Sequence, residues 1–97
     1  MEELEQFALN DSMTGLYNRN AYDYFVKNER DFEGYVIVTF DLNNLKQCND
    51  QYGHRAGDEY IIHAAHIIED NFERYGKCYR IGGDEFCCII PKEYILK

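Results

Sequence analysis

A short apolar strand, a glycine pair and two acids follow one another in the stretch Tyr79-Arg80-Ile81-Gly82-Gly83-Asp84-Glu85-Phe86. A second apolar run, residues 87–90, begins immediately afterwards and ends at Pro91. Apolar residues on both sides of a Gly-Gly step predict a β-hairpin, because glycine reaches the positive φ angles that primed turns require. We therefore expect strands over residues 77–81 and 85–90.

The tip of this hairpin has the composition of a cation and phosphate site. Gly82 and Gly83 lack β-carbons, so a ligand can approach the backbone closely. Asp84 and Glu85 supply carboxylate oxygens, which hard cations prefer. Glycine followed by acids is equally typical of a solvated turn. The stretch alone leaves both interpretations open.

An upstream strand supplies a second acid. Residues 35–42 are rich in β-branched and aromatic side chains, which predicts a central strand covered on both faces. Asp41 lies at its carboxyl end, the edge of α/β sheets where ligands gather. The segment does not fit a calcium-binding EF-hand loop, because Lys46 and Tyr52 occupy the positions that need glycine and glutamate.

Helical periodicity predicts four helices around these strands. Residues 1–9 form a short amphipathic helix, and Asn18 caps a second helix that ends near residues 32–34. Residues 44–51 form a third helix, ending at Gly53. Residues 56–75 form a long fourth helix with Gly76 as its C′ residue; its buried stripe comprises Ile61, Ala64, Ala65, Ile68 and Phe72. This order of elements predicts an α/β sandwich with helices against one antiparallel sheet.

The composition limits the classes of function. The 97 residues allow one domain, and 45% hydrophobic residues are enough for a globular core. The net charge of −8 argues against nucleic acid binding, although a cation could screen a nucleotide's phosphates. Without an apolar run of membrane length or a signal peptide, we expect no direct membrane contact and a cytoplasmic location, either free or as the cytoplasmic part of a membrane-bound parent.

Neither the cysteines nor the histidines have the spacing of a metal site. The adjacent Cys87 and Cys88 should point to opposite faces of a strand, as buried apolar residues do. We interpret all four cysteines as reduced structural thiols and the histidines as surface or helix-packing residues; these are Cys48, Cys78, Cys87, Cys88, His54, His63 and His66.

Three upstream segments stand in order and in register with the hairpin. They are DSMTGLYNR at residues 11–19, YVIVTFDLNNLKQCND at residues 35–50, and a stretch at residues 52–59 that contains YGH and AGDE. With RIGGDEF at residues 80–86, they resemble the GGDEF family of diguanylate cyclases. The resemblance implies a palm-like nucleotidyl cyclase fold, an α/β (α+β) arrangement with helices packed on an antiparallel-containing central sheet. It also implies condensation of two GTP molecules to cyclic di-GMP by two facing domains, a homodimer, with Mg²⁺ or Mn²⁺.

The same resemblance implies roles for individual residues. Asp41, Asp84 and the Leu42 carbonyl match the family's metal ligands, and Asn49 and Asp58 match its guanine-reading pair. The remaining matched positions hold phosphates, contact substrate or support the site. The backbone of Asn44 and Leu45 would hold the terminal phosphates, with charge from Lys46 nearby; Gly82 and Gly83 would contact substrate, Arg80 would brace the hairpin, and Glu85 would be a supporting group or a proton acceptor.

The sequence departs from the family pattern in two important ways. Glu73 and Gly76 stand where the family's inhibitory product site has arginine and aspartate. The family also continues with a further helix, strands and a basic pair that grips the triphosphate. We therefore expect residues 1–97 to be a partial domain, incomplete at the C-terminus, with a lead-in helix over residues 1–10 from an upstream sensor and a cyclase core over residues 11–97. Such a chain should self-associate and turn over little GTP. The alternative is an inactive GGDEF-like module that binds GTP or a protein partner.

Overall fold

A computed structural model describes residues 8–95. Three helices lie wholly within these residues, α1 (Arg19–Asn28), α2 (Leu45–Tyr52) and α3 (His54–Phe72), together with three strands, β1 (Tyr35–Asp41), β2 (Lys77–Arg80) and β3 (Glu85–Pro91). Short 3₁₀ helices cover Phe32–Gly34 and Lys92–Tyr94. Residues 1–7 of the helix predicted over residues 1–9 lie outside the described residues. Within residues 8–95, no helix combines the length and the apolar character needed to cross a membrane.

The three strands form one antiparallel sheet in the order β1-β3-β2. Helices cover both of its faces. On one face α3 packs Ile61, Ala65 and Ile68 against the sheet, and on the other Ala21 of α1 does so. The predicted α/β architecture with an antiparallel sheet is confirmed.

The central strand is β3, not β1. Five consecutive residues of β3, from Phe86 to Ile90, are buried, and they alternate between the two helical faces. The prediction that residues 35–42 form a strand covered on both faces is wrong for the described part of the chain. There β1 is an edge strand, and Ile37 is 41% exposed. Ile37 is paired with Ile89 on the α1 face of the sheet, and α1 packs on β2, which lies on the other side of β3, so this face of β1 stays partly open.

The hairpin forms as predicted, but its turn is of a different kind. Strand β2 ends at Arg80, and the backbone N–H groups of Ile81 and Gly82 both donate to the Glu85 carbonyl, at 2.9 and 3.3 Å. Neither Gly82 nor Gly83 has a positive φ angle. The prediction of a primed turn is therefore wrong, because a four-residue connection reverses the chain without left-handed residues.

The helix boundaries differ from the predictions by a few residues. The Asn18 side chain accepts a hydrogen bond from the Ala21 N–H at 3.0 Å, which confirms the predicted N-cap. Helix α1 stops at Asn28, earlier than predicted, because Glu29 is already extended. Helix α3 starts at His54 and stops at Phe72.

Gly76 is needed for close packing and does not act as a left-handed helix cap. Its φ angle is not positive, and its N–H donates to the Phe72 carbonyl at 3.1 Å. A β-carbon at Gly76 would collide with the backbone carbonyl oxygen of Ile89. The C′ assignment is thus corrected: glycine lets the chain leaving α3 approach the central strand closely.

Candidate functional site

The predicted acids lie at one end of the strands, where β1 ends and β3 begins. Asp41, the last residue of β1, is paired in register with Glu85, the first residue of β3. The Leu42 N–H donates to the Asp84 carbonyl at 3.0 Å. This hydrogen bond joins the end of β1, with the predicted metal ligands Asp41 and Leu42, to the hairpin loop that carries Asp84. The Asp41 side chain is exposed and Asp84 is half-buried, so both are within reach of a ligand.

Arg80 links the hairpin tip to the turn over residues 11–16. Its Nη2 donates to the Gly83 carbonyl at 3.0 Å, and its Nη1 donates to both carboxylate oxygens of Asp11, at 3.2 and 3.3 Å. The two side chains are 14% and 20% exposed, so the ion pair is largely shielded from water. The Nε atom of Arg80 is buried and makes no hydrogen bond within residues 8–95. These contacts place Arg80 as a brace that positions the tip.

The turn that receives Arg80 is organised by its own hydrogen bonds. Asp11 accepts from the backbone N–H and the hydroxyl of Thr14, at 3.0 and 2.8 Å. Gly15 adopts a φ of 79°, which favours glycine, and Leu16 enters the core at 3% exposed. Partial burial raises the pKa of Asp11, but the Thr14 hydrogen bonds and the Arg80 charge outweigh it and leave the pKa below the usual 3.8.

The Asp11 ion pair predicts an acid-dependent loss of stability. Because its folded pKa lies below its unfolded value, the pair adds stability that is present above about pH 4 and is lost as pH falls through the folded pKa. We expect wild type to exceed Asp11→Asn in free energy of unfolding near neutral pH, and the gap to close as the pH falls through the folded pKa of Asp11. Urea titrations across this range measure the gap. The exposed Asp70→Asn variant is the control, and a gap that ignores pH would contradict the prediction.

The predicted guanine-reading residues lie on two successive helices. Gly53, with φ 92°, ends α2 and precedes α3, and the Asn49 side chain of α2 lies against Gly57, the residue before Asp58 on α3. A β-carbon at Gly57 would collide with the Asn49 side-chain oxygen, so the amide lies directly against the Gly57 backbone. No role was predicted for Gly57. A glycine inside a helix was the available signal, since it costs stability unless packing requires it.

The predicted phosphate-holding turn lies between β1 and α2. Asn44 has φ 63° and immediately precedes Leu45, the first residue of α2, so the backbone here leads into a helix N-terminus. Lys46 is exposed in the first turn of α2. The Tyr60 hydroxyl of α3 donates to the Asn43 carbonyl at 3.0 Å and so anchors this turn to α3. Tyr60 was missed, because a tyrosine on a helix carries no signal of such a distant contact.

The donor set at the sheet edge suits a hard divalent cation. In residues 8–95, no three His, Cys, Asp or Glu side chains converge as a ready-made metal cluster. The predicted set needs only the Asp41 and Asp84 carboxylates and the Leu42 carbonyl, all oxygen donors of the type that Mg²⁺ and Mn²⁺ accept. A β-carbon at Gly83 would meet nothing within 4 Å, so the tip has open space for a ligand. These residues fit such an ion.

A cleft near the end of α3 contains the two positions that depart from the family's inhibitory site. It has a volume of about 350 Å³, and its walls include Glu69, Glu73, Gly76 and Lys77. Two carboxylates in this cleft would repel a phosphodiester. We therefore expect no tight product binding there.

Comparison with known proteins points to one family. The sequence profile described as "Diguanylate cyclase, GGDEF domain" matches residues 8–94. Among characterised proteins, the diguanylate cyclase DgcS of Shewanella oneidensis is 35% identical over 94 residues, which is 92% of this chain and 32% of that protein. A diguanylate cyclase of Vibrio cholerae is 31% identical over 99 residues, covering 97% and 31% of the two chains. The chain thus spans about a third of these relatives.

Solved structures agree with the sequence matches. The coiled coil and GGDEF domain of DgcB from Caulobacter crescentus, in complex with c-di-GMP, superposes with a TM-score of 0.84 at 29% identity, covering 93% of this chain and 50% of that one. Diguanylate cyclase SiaD from Pseudomonas aeruginosa, in complex with its activator SiaC, gives a TM-score of 0.74 at 30% identity, with coverage of 93% and 36%.

Proposed function

Because this chain belongs to the diguanylate cyclase GGDEF family, we propose that it carries the metal and guanine subsites of a domain that condenses two GTP molecules into cyclic di-GMP. The observation that carries the proposal is the Leu42 to Asp84 backbone hydrogen bond, which joins the acid-bearing end of β1 to the acid-bearing loop before β3. Two Asp side chains and a carbonyl presented together are suited to nucleotide chemistry with a divalent cation.

The chemistry divides between the bound ion and the protein. Asp41, Asp84 and the Leu42 carbonyl would hold Mg²⁺ or Mn²⁺, which lowers the pKa of a 3′-hydroxyl and neutralises charge on the departing pyrophosphate. Glu85 pairs in register with Asp41 and therefore lies beside the reacting groups, where it serves as a proton acceptor or supports the ligands. Arg80 holds the Gly83 carbonyl and so keeps the tip in place.

The substrate is positioned by the two helix corners. The Asp58 carboxylate accepts from guanine N1–H and the exocyclic amino group, while the Asn49 amide meets the O6 side. The N–H groups of Asn44 and Leu45 at the start of α2 receive the terminal phosphates, with Lys46 adding positive charge. Each condensation needs two GTP molecules on facing domains, so the active form is a homodimer controlled by an upstream sensor in the parent protein. We place the reaction in the cytoplasm.

We predict that the chain prefers GTP to ATP in the presence of Mg²⁺. Adenine offers no donor pair to Asp58 and would leave this carboxylate unpaired in the complex, at a cost of about 1–3 kcal/mol, or about 5- to 150-fold in affinity. Calorimetry with both nucleotides measures the ratio of GTP affinity to ATP affinity. Asp58→Ala should reduce this ratio. Equal affinities would contradict guanine recognition. If neither nucleotide binds, the chain is better described as the alternative, a module that binds a protein partner.

The contact between Gly57 and Asn49 predicts a non-additive pair of mutations. Gly57→Ala should push the Asn49 amide out of place and lower GTP affinity about as much as Asn49→Ala does, roughly 2- to 10-fold for one lost hydrogen bond. The double variant should bind no more weakly than either single variant. Calorimetry on the three variants tests this, with circular dichroism as the check on folding. Additive losses would show that Gly57 acts independently of Asn49.

A further inference from the structure

Two buried thiols face each other across the hairpin. Cys78 of β2 is paired in register with Cys88 of β3, and their Sγ atoms lie 3.3 Å apart. They are 6% and 0% exposed, and both are free thiols. We propose that Cys78 and Cys88 are a redox-sensitive pair that closes to a cross-strand disulfide when the protein meets a hydroperoxide. This proposal does not depend on the proposed nucleotide chemistry.

The register of the hairpin suits such a bond. The Ile81 N–H donates to Glu85, whereas the Arg80 N–H donates away from β3 to the Tyr17 carbonyl. Since hydrogen-bonded and non-hydrogen-bonded pairs alternate along an antiparallel ladder, Cys78 and Cys88 form a non-hydrogen-bonded pair. In such pairs the Cα atoms are about 4.5 Å apart, within the range that disulfides tolerate. The sulfurs need to approach by only roughly 1.2 Å to reach bonding distance.

Cys78 is the thiol that a small oxidant can reach. It lines the cleft of about 350 Å³ near the end of α3, whose rim residues Gly15, Glu73 and Lys77 are exposed. Cys88 donates its S–H to Cys78, and this hydrogen bond lowers the pKa of the Cys78 thiol, although burial and the charges of Glu69 and Glu73 oppose it. Cys78 is therefore the attacking sulfur, and Cys88 resolves the intermediate.

The reaction balances with a hydroperoxide as the two-electron oxidant. The Cys78 thiolate attacks one peroxide oxygen, the O–O bond breaks, and a sulfenic acid forms while the other oxygen leaves as hydroxide and takes up a proton. The Cys88 sulfur then attacks the Cys78 sulfur, forming the S–S bond and expelling the second oxygen, which leaves as water. Two thiols and one hydrogen peroxide thus give one disulfide and two water molecules. A thiol reductant reverses the change.

The chain provides its own controls. Cys87 is also 0% exposed, but it packs on the opposite face of the sheet beside Tyr79 and Ile89. In the folded protein, Cys87 therefore cannot replace Cys88 as the partner of Cys78. Cys48 lies on α2 and is partly exposed, so it reports general thiol oxidation. The bond would tie the two strands of the hairpin together near its open end, one residue pair after β2 begins.

The experiment is peptide mapping after oxidation with hydrogen peroxide. The folded chain is treated, acid-quenched, alkylated and digested with trypsin, which separates Cys78 from the peptide that carries Cys87 and Cys88. We expect loss of two of the four free thiols, a Cys78–Cys88 cross-link that thiol reductant removes, and a higher urea midpoint for the oxidised chain. The cross-link should persist in Cys87→Ser and vanish in Cys88→Ser.

Two outcomes would overturn the proposal. One is oxidation of Cys48 with no link between Cys78 and Cys88 in the folded wild type. The other is linkage of Cys78 to Cys87 as often as to Cys88, the result expected of an unfolded chain. A parallel oxidation in urea provides that unfolded reference, so a folding defect in any variant does not affect the interpretation of the wild-type result.

Discussion

Replacing Asp84 by alanine is expected to abolish metal-dependent cyclic di-GMP synthesis by the full-length parent protein, with a fall of about 1,000-fold or more. A carboxylate that holds a catalytic cation supports several kcal/mol of transition-state stabilisation, and each 1.36 kcal/mol is about tenfold in rate. The fold should survive, because Asp84 lies on the loop between β2 and β3 and its carbonyl, not its side chain, binds the Leu42 N–H.

The appropriate measurements are product formation and the dependence of GTP affinity on Mg²⁺. Asp70→Ala is the matched control, since this acid is exposed on α3, away from the hairpin tip. Asp41→Ala should fail in the same way as Asp84→Ala. Retained turnover in the Asp84 variant, with an unchanged magnesium requirement, would remove this residue from the mechanism.

Replacing Phe86 by alanine is expected to cost about 3–5 kcal/mol of unfolding free energy, the range for deleting a fully buried phenylalanine. Phe86 is 0% exposed and packs with residues of α3 in the core cluster. It is also paired in register with Phe40 of β1 and Arg80 of β2, so it lies at the centre of the sheet. Since native proteins have a total stability of about 5–15 kcal/mol, this single change should remove a large fraction of it.

Phe32→Ala is the matched control for Phe86→Ala. Phe32 is 44% exposed and makes one edge-to-face contact, with Phe25 at 6.2 Å between ring centroids. Its loss should cost less than about 1.5 kcal/mol. Urea denaturation of both variants gives the comparison. Similar costs at the two positions would mean that the central strand is not the core of the domain.

The two glycines of the hairpin tip show how a correct element can be predicted for an incorrect reason. The apolar runs around them were sufficient to predict the hairpin, because strand periodicity and a break are local features. The turn type was wrong because Gly82 and Gly83 have negative φ angles and the connection has four residues. A β-carbon at Gly83 would meet nothing within 4 Å, which is consistent with the prediction that a ligand can approach the backbone closely at the tip.

The amino-acid sequence by itself determined the order of elements, the Asn18 cap, the hairpin and the family. Each of these follows from neighbours in the chain or from motifs in register. The tertiary structure alone decided which strand is central, since β1 and β3 carry similar apolar runs and only their pairing distinguishes an edge from a centre. It also decided the remote contacts that build the site, from Arg80 to Asp11 and from Tyr60 to Asn43. Residues so far apart in the chain leave no periodic signal, because their contact exists only once the sheet and helices have packed.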